Sequence, residues 1–145
     1  MLFRSIGQNF REPKYFHPRP SAAGAGYDGS ASSGSNLGPL NPALIDGIKG
    51  RIQALRAADP GNSALIPVDL VTASASGLDP EESIAAALYQ APRVARVRGV
   101  PLSVVRAVID AHSQSRWLGA FGEPRVNVLA LNLALDDLAP GAGSR

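Results

Sequence analysis

The sequence predicts a single α+β domain with three to five helices, a small sheet and a long N-terminal loop region rich in Gly, Ser and Pro. Its 145 residues are the length of one ordinary domain. Several segments repeat apolar residues at helical spacing, whereas one segment alternates like a strand. The first forty residues hold four prolines and a Gly/Ser/Ala run, which is typical of irregular chain.

Three regions follow from this pattern. Residues 1–40 are expected to be irregular, residues 41–139 to form the core of helices and strand, and residues 140–145 to be a flexible tail. The irregular region nevertheless contains aromatic residues, which predict that it is pinned to the core: Phe10, Tyr15, Phe16 and Tyr27. We expect Tyr15 or Phe16 to pack on the core, Asn36 to bond to backbone, and residues 24–35 to be looser than their flanks.

The first helix is predicted to begin at Asn41-Pro42, because Asn caps free backbone N–H groups and Pro suits the first helical position. The turn residues that start at Asp59 end it. Residues 66–74 alternate in side-chain character and are predicted to form a strand. On that strand, Asp69 is expected to face solvent unless buried partners satisfy it.

The second helix is predicted to start at Asp79-Pro80, with two glutamates in its first turn, and to run to about Gln90. Pro92 is expected either to begin a further helix or to kink this one, and Gly99 to end it. Ser103 is expected to cap the next helix. The last helix should follow a short extended stretch, with Asn127 as its cap.

Composition excludes several classes of protein. The chain has no cysteine, so it holds no disulfide, thiolate metal site or cysteine nucleophile. With 45% hydrophobic and 18% charged residues, it is not a highly charged disordered protein. No apolar run approaches the ~18 residues that span a bilayer, and the N-terminus lacks a signal-peptide layout. Taken alone, the chain is therefore expected to be soluble.

Motifs of catalysis are weak or missing. Residues 24–29 match G-x-G-x-x-G, but they lack the strand and helix that a dinucleotide site needs, and no phosphate-binding loop motif occurs. The two histidines, His17 and His112, lie far apart in sequence, and no G-x-S-x-G elbow is present. No catalytic residue and no metal site are predicted, and the chain is expected not to be an enzyme.

One basic cluster stands out. Arg93, Arg96 and Arg98, with Arg106 further on, fall in a stretch of sixteen residues (91–106) that contains no acid. Such a cluster is either a solvated helix face or a contact surface for an acidic partner or a lipid headgroup. No aromatic residues lie between the arginines, so we expect no binding to nucleic acid.

Several motifs together resemble one family, the KdpC subunits of bacterial potassium-transporting P-type ATPases. The resemblance covers nearly the whole chain in order and is carried by these segments: 6–10 (IGQNF), 15–21 (YFHPRPS), 33–37 (SGSNL), 68–79 (VDLVTASASGLD), 92–96 (PRVAR), 122–128 (GEPRVNV) and 131–136 (LNLALD). Within them, Asn36, Asp69, Ser76 and Asp79 are singled out as motif residues.

The resemblance implies an accessory subunit of a high-affinity potassium pump, in a membrane complex with a channel-like potassium-binding subunit and a P-type ATPase subunit that carries the hydrolytic activity. It implies help in assembly and a raised ATP affinity of the pump subunit. Members have one N-terminal membrane helix and a soluble domain outside the cytoplasm; this chain is expected to start within that domain, without the anchor.

No cofactor is expected to bind firmly, and ATP is expected to act through the complex, because a domain across the membrane cannot touch cytoplasmic ATP. If nucleotide binds directly, the resemblance points to Gln90 beside Arg93. The alternatives are a regulatory module that binds a small molecule or nucleotide, and an isolated hydrolase.

Overall fold

The computed structural model describes residues 10–20, 41–73, 80–113 and 124–138. In chain order these form helix α1 (Pro42–Ala58), a short 3₁₀ helix (Val68–Leu70), strand β1 (Glu81–Ser83), helix α2 (Ile84–Arg98), helix α3 (Leu102–His112), strand β2 (Arg125–Asn127) and helix α4 (Val128–Leu138). The fold is α+β, as predicted.

The small sheet sets where two helices begin. β1 and β2 pair antiparallel, with Glu82 opposite Val126, and each strand runs directly into the helix that follows it. The sheet thereby holds the starts of α2 and α4 side by side, and α3 packs against both helices. The main core lies between these elements: Phe16, Ala87, Ala91, Val94, Ala95, Val105, Val108, Ile109, Val126, Val128, Leu131 and Leu135.

The segment of residues 10–20 is irregular but packed. Phe16 is fully buried in the main core, and Phe10 packs against it from the rim. The prediction that Tyr15 or Phe16 packs on the core is therefore confirmed, through Phe16. Asn36 and the predicted loose tip, residues 24–35, lie outside the described residues.

The predicted strand over residues 66–74 is wrong where the structure describes it. The chain there forms the short 3₁₀ helix, and Pro67 precedes it. Leu70 and its neighbour Val71 are both buried, whereas Val68 is 72% exposed. Burial of two successive residues suits a helical turn, because successive side chains of a strand point to opposite faces.

The predicted start of α2 is also wrong, because residues 81–83 are taken up by the sheet. The N-cap is Ser83, whose Oγ accepts a hydrogen bond from the backbone N–H of Ala86 at 3.0 Å. Pro92 lies inside a single helix instead of starting another. Pro92 has no N–H, so the Leu88 carbonyl lacks its hydrogen-bond partner within the helix. Leu88 is 40% exposed, so water can reach that turn.

Other helix ends agree with the sequence. Asn41 caps α1 through a 2.9 Å bond from the N–H of Ala43, and Gly99 ends α2 with a φ of 67°. Asn127 accepts a bond from the N–H of Ala130 after a short extended stretch, as predicted. The expected cap at Ser103 is wrong, because α3 begins at Leu102 after Pro101. Within the described ranges, no helix is long and apolar enough to cross a membrane.

Candidate functional site

A buried polar network joins α2 to the N-terminal segment, and Gln90 is its centre. The Gln90 side chain is 3% exposed. Its Oε1 accepts from the backbone N–H of His17 at 2.8 Å, and its Nε2 donates to the His17 carbonyl at 3.0 Å. Nε2 also donates to Oε2 of Glu82 at 2.9 Å. The Gln90 amide therefore binds the N-terminal segment in the manner of a neighbouring strand.

Arg93 lies one turn further along α2 and holds the same segment. Its guanidinium donates to Oε1 of Gln90 at 2.9 Å, to the Tyr15 carbonyl at 3.1 Å and to the Pro13 carbonyl. The residue is 5% exposed. Burial lowers the pKa of Arg93 from its ordinary value. The guanidinium nevertheless stays charged at neutral pH, because arginine is not deprotonated in proteins.

Glu82 is the acidic member of the network. It is fully buried on β1, and its Oε1 is without a hydrogen-bond partner among the described residues. Burial and the nearby charge of Asp69 raise the pKa of Glu82 well above its ordinary value, although Arg93 and the bond from Gln90 oppose the rise. The raised pKa favours the protonated carboxyl, which can be buried at much lower cost than a carboxylate.

His17 borders the network on its exposed side. Its ring Nε2 lies 3.0 Å from the Glu12 carbonyl. Burial, followed by the charge of Arg93, lowers the pKa of His17. The ring is consequently neutral near pH 7 and fits beside the permanent charge of Arg93.

Asp69, singled out in the sequence, connects the short 3₁₀ helix to the start of α2. Its two carboxylate oxygens accept from the backbone N–H and the hydroxyl of Ser83, at 2.9 and 3.0 Å. Of the two outcomes left open for Asp69, the structure shows the partnered one, because this half-buried carboxylate has two donors. Asp69 thus fixes the hydroxyl that caps α2.

The arginine cluster does not form one exposed face. Arg93 is buried in the network, and the side chain of Arg96 is 56% exposed and donates to Asp59 at 2.8 Å. Arg98 donates to the Lys14 carbonyl at 2.7 Å and to Asp136 at 3.0 Å. The solvated-face interpretation is therefore wrong for Arg93. A role of Arg96 or Arg98 in contacts with a partner stays a prediction.

The structure brings together some of the sequence-predicted residues. Gln90 and Arg93 touch each other, whereas Ser76, Asp79 and Asn36 lie outside the described residues. Sequence reasoning missed Asn132, which binds the backbone of Phe16, and it assigned Glu82 to a helix start. A signal for Asn132 was available, since a lone amide inside the apolar run 128–135 must find partners when it is buried.

The network can hold two pieces of chain together, but its groups are largely occupied. Each atom of the Gln90 amide already has two protein partners. A ligand at Gln90 would have to displace the backbone of His17 or the side chain of Arg93 or Glu82.

Comparison with known proteins decides the family. A family model described as "KdpC: K+-transporting ATPase, c chain" matches residues 3–137. The chain belongs to the KdpC family. The resemblance inferred from the motifs is thereby confirmed.

Several curated relatives of this KdpC-family chain are similar over most of its length. A protein of Polaromonas naphthalenivorans is 67% identical over 136 residues, which are 93% of this chain and 69% of the relative. A protein of Variovorax paradoxus is 68% identical over 90% of this chain and 68% of the relative. Both are named potassium-transporting ATPase KdpC subunit.

Three KdpC motif segments that are far apart in sequence contact one another in the folded chain. They supply residues 15–20, Arg93 and Asn132, and both of these side chains bind the backbone of residues 15–20. These motif residues support the fold where they are buried.

Proposed function

We propose that this chain is the KdpC subunit of a potassium-transporting ATPase and that it acts there without catalytic chemistry of its own. The observation that carries the proposal is the identity of 67% over 93% of the chain with a relative of that name. Hydrolysis of ATP belongs to another subunit in this proposal. The partners are a channel-like potassium-binding subunit and a P-type ATPase subunit, in the cell membrane.

The proposed contribution is to assembly and stability of the complex, from the extracytoplasmic side. The buried network supports this role, because it ties an irregular segment to α2 and α4 and so presents a defined surface. A preorganised surface loses less conformational entropy when a partner binds. Among the three arginines of α2, Arg96 has the most exposed side chain for such a contact.

The subunit is further proposed to raise the ATP affinity of the pump subunit through conformational coupling. Coupling requires two states and differential contacts, and it does not require that this chain touch ATP. The alternative, a module that binds nucleotide at Gln90 and Arg93, is less supported because both side chains are buried and bonded.

Co-purification tests the proposal. The protein should co-purify with the channel-like and ATPase subunits and should lower the ATP concentration at which the pump is half-saturated. The Arg96→Glu variant should assemble less well, whereas Lys49→Glu, at an exposed position on α1 outside the basic cluster, serves as the charge-matched control. Absence of the chain from the purified complex would contradict the proposal.

A titration of the isolated chain with a non-hydrolysable ATP analogue separates the two mechanisms. Conformational coupling predicts no saturable binding to the chain alone. Saturable binding that is lost in Gln90→Ala would instead support the nucleotide-binding module.

A further inference from the structure

The N-terminal segment, residues 10–20, is attached to the rest of the described fold through side chains. No backbone–backbone hydrogen bond joins it to another described element. Side-chain amides on α2 and α4, those of Gln90 and Asn132, bind its backbone instead. Because these bonds are separate from those of the helices and the sheet, the segment can open while the other elements stay formed.

The Gln90 amide connects this segment to a buried acid. Its Nε2 donates both to the His17 carbonyl, at 3.0 Å, and to Oε2 of Glu82, at 2.9 Å. Glu82 is fully buried, and its Oε1 has no hydrogen-bond partner among the described residues. A buried carboxylate with an unpaired oxygen is costly, so the closed segment favours the neutral carboxyl of Glu82.

The half-buried ring of His17 also favours its neutral form while the segment is closed. Its Nε2 lies 3.0 Å from the Glu12 carbonyl, which can only accept, so the neutral ring carries its hydrogen on Nε2. Protonation adds a hydrogen on Nδ1, for which the described residues supply no acceptor. Protonation also places a second positive charge near Arg93, whose charge already acts on the ring.

The other charged groups around the segment do not compensate these two sites. Among the described residues, only the charge of Arg93 acts appreciably on the His17 ring, whereas Asp69 and Arg93 act on Glu82. The remaining acids have partners of their own: Glu12 binds Lys14, Asp136 binds Arg98 and Tyr15, Asp69 binds Ser83, and Asp59 binds Arg96. Arg11 and Arg19 are the other cations of the segment.

We propose that the N-terminal segment is a pH-dependent closure whose opening releases a proton from Glu82 to solvent and takes up a proton from solvent at His17. Opening removes the His17 backbone from Gln90, so that water reaches the Glu82 carboxyl. It also moves the imidazole away from Arg93 and into solvent, where both groups regain their ordinary pKa values.

The two protons give the closure a pH range in which it is most firmly shut. Between about pH 4.5 and pH 6.5, the ordinary pKa values of the two groups, the released and the gained proton cancel and opening is independent of pH. Above this range only the release from Glu82 remains, so opening increases as pH rises. Below this range only the uptake at His17 remains, so opening increases as pH falls.

Amide hydrogen exchange of the full 145-residue chain, resolved by NMR at a series of pH values, tests the proposal. The amides of Phe16 and His17 report opening of the segment, and the amide of Ile109 in the core of α3 reports global unfolding. After correction for the intrinsic exchange rate, the opening constant should be level up to about pH 6.5. Above that pH it should rise by as much as about tenfold per pH unit, and it should exceed the constant at Ile109 throughout.

Two conservative substitutions separate the two protons, and circular dichroism confirms that the variants fold. In Glu82→Gln the rise above pH 6.5 should disappear, and opening should increase as pH falls below that value. In His17→Gln opening should increase as pH rises from about 4.5. His112→Gln, at the end of α3, should keep the wild-type profile. A level wild-type profile, profiles that neither substitution changes, or equal opening constants at Phe16 and Ile109 would each overturn the proposal.

Discussion

The side-chain amide of Asn132 exchanges two hydrogen bonds with the backbone of Phe16, across 116 positions of sequence. Oδ1 of Asn132 accepts from the Phe16 N–H at 2.8 Å, and Nδ2 donates to the Phe16 carbonyl at 3.1 Å. Gln90 makes the equivalent pair of bonds with His17. Two amides on two helices thus satisfy two successive residues of an irregular segment, and this lets the Phe16 ring enter the core.

Replacement of Asn132 by Leu should destabilise the chain strongly. The change leaves the Phe16 N–H and carbonyl buried without partners, so we expect a loss of about 2–4 kcal/mol in the free energy of unfolding. Urea unfolding followed by circular dichroism measures it. Asp137→Ala, at an exposed position on the same helix, should stay within about 0.5 kcal/mol and is the control. A loss no larger than that of the control would contradict the role given to Asn132.

Replacement of Arg93 by Met should release the N-terminal segment. The long apolar chain keeps much of the packing, but the carbonyls of Pro13 and Tyr15 lose their donor. We expect a destabilisation of about 2–3 kcal/mol and faster amide exchange over residues 14–19, which hydrogen-exchange mass spectrometry detects. Arg106→Met is the matched control, because Arg106 is exposed. Unchanged exchange in Arg93→Met would rule out the proposed tether.

Glu82 predicts a pH dependence of stability with a definite sign. The unfolded carboxyl titrates near 4.5, whereas burial raises the pKa of Glu82 well above that value in the folded chain. At pH values between the unfolded and the folded pKa, the folded state binds more protons than the unfolded state. The contribution of Glu82 to stability therefore falls as pH rises above about 4.5. Glu82→Gln cannot titrate and should gain stability relative to the wild type as pH rises through that window.

The titration of His17 changes the stability with pH in the opposite direction, so its effect must be removed from the comparison. Burial lowers the pKa of His17 below 6.5, so its contribution to stability is present above pH 6.5 and is lost as pH falls. The comparison at Glu82 is therefore best made in a His17→Gln background, by urea unfolding at a series of pH values. Parallel profiles with and without the Glu82→Gln change would show that Glu82 is not buried as described.

Two glycines form a matched pair for a backbone test. Gly99 has a φ of 67°, which is strained for any residue with a side chain, whereas Gly50 lies in α1 with open space around it. Gly99→Ala should lower the free energy of unfolding by about 1 kcal/mol, whereas Gly50→Ala should raise it by as much as about 1 kcal/mol. Thermal unfolding gives both signs in one experiment. A stabilising Gly99→Ala would contradict the left-handed end of α2.

The helix ends that the sequence predicted correctly depend on local chemistry. Asn41 and Asn127 cap helices because a short side chain reaches the next free N–H groups, and Gly99 ends α2 because it adopts a positive φ. These effects span a few residues and can be identified from the sequence letters alone. Family membership was also determined by the sequence, since its motifs lie along the chain.

Only the tertiary structure decided which polar residues are buried and what they bind. The glutamates before α2 match a helix start, but pairing with residues 125–127 makes them a strand and buries Glu82. The arginines fall together in sequence, yet the N-terminal segment covers Arg93 and leaves the side chain of Arg96 56% exposed. Partners such as Phe16 and Asn132 are 116 positions apart, and local propensity contains no information about such a distance.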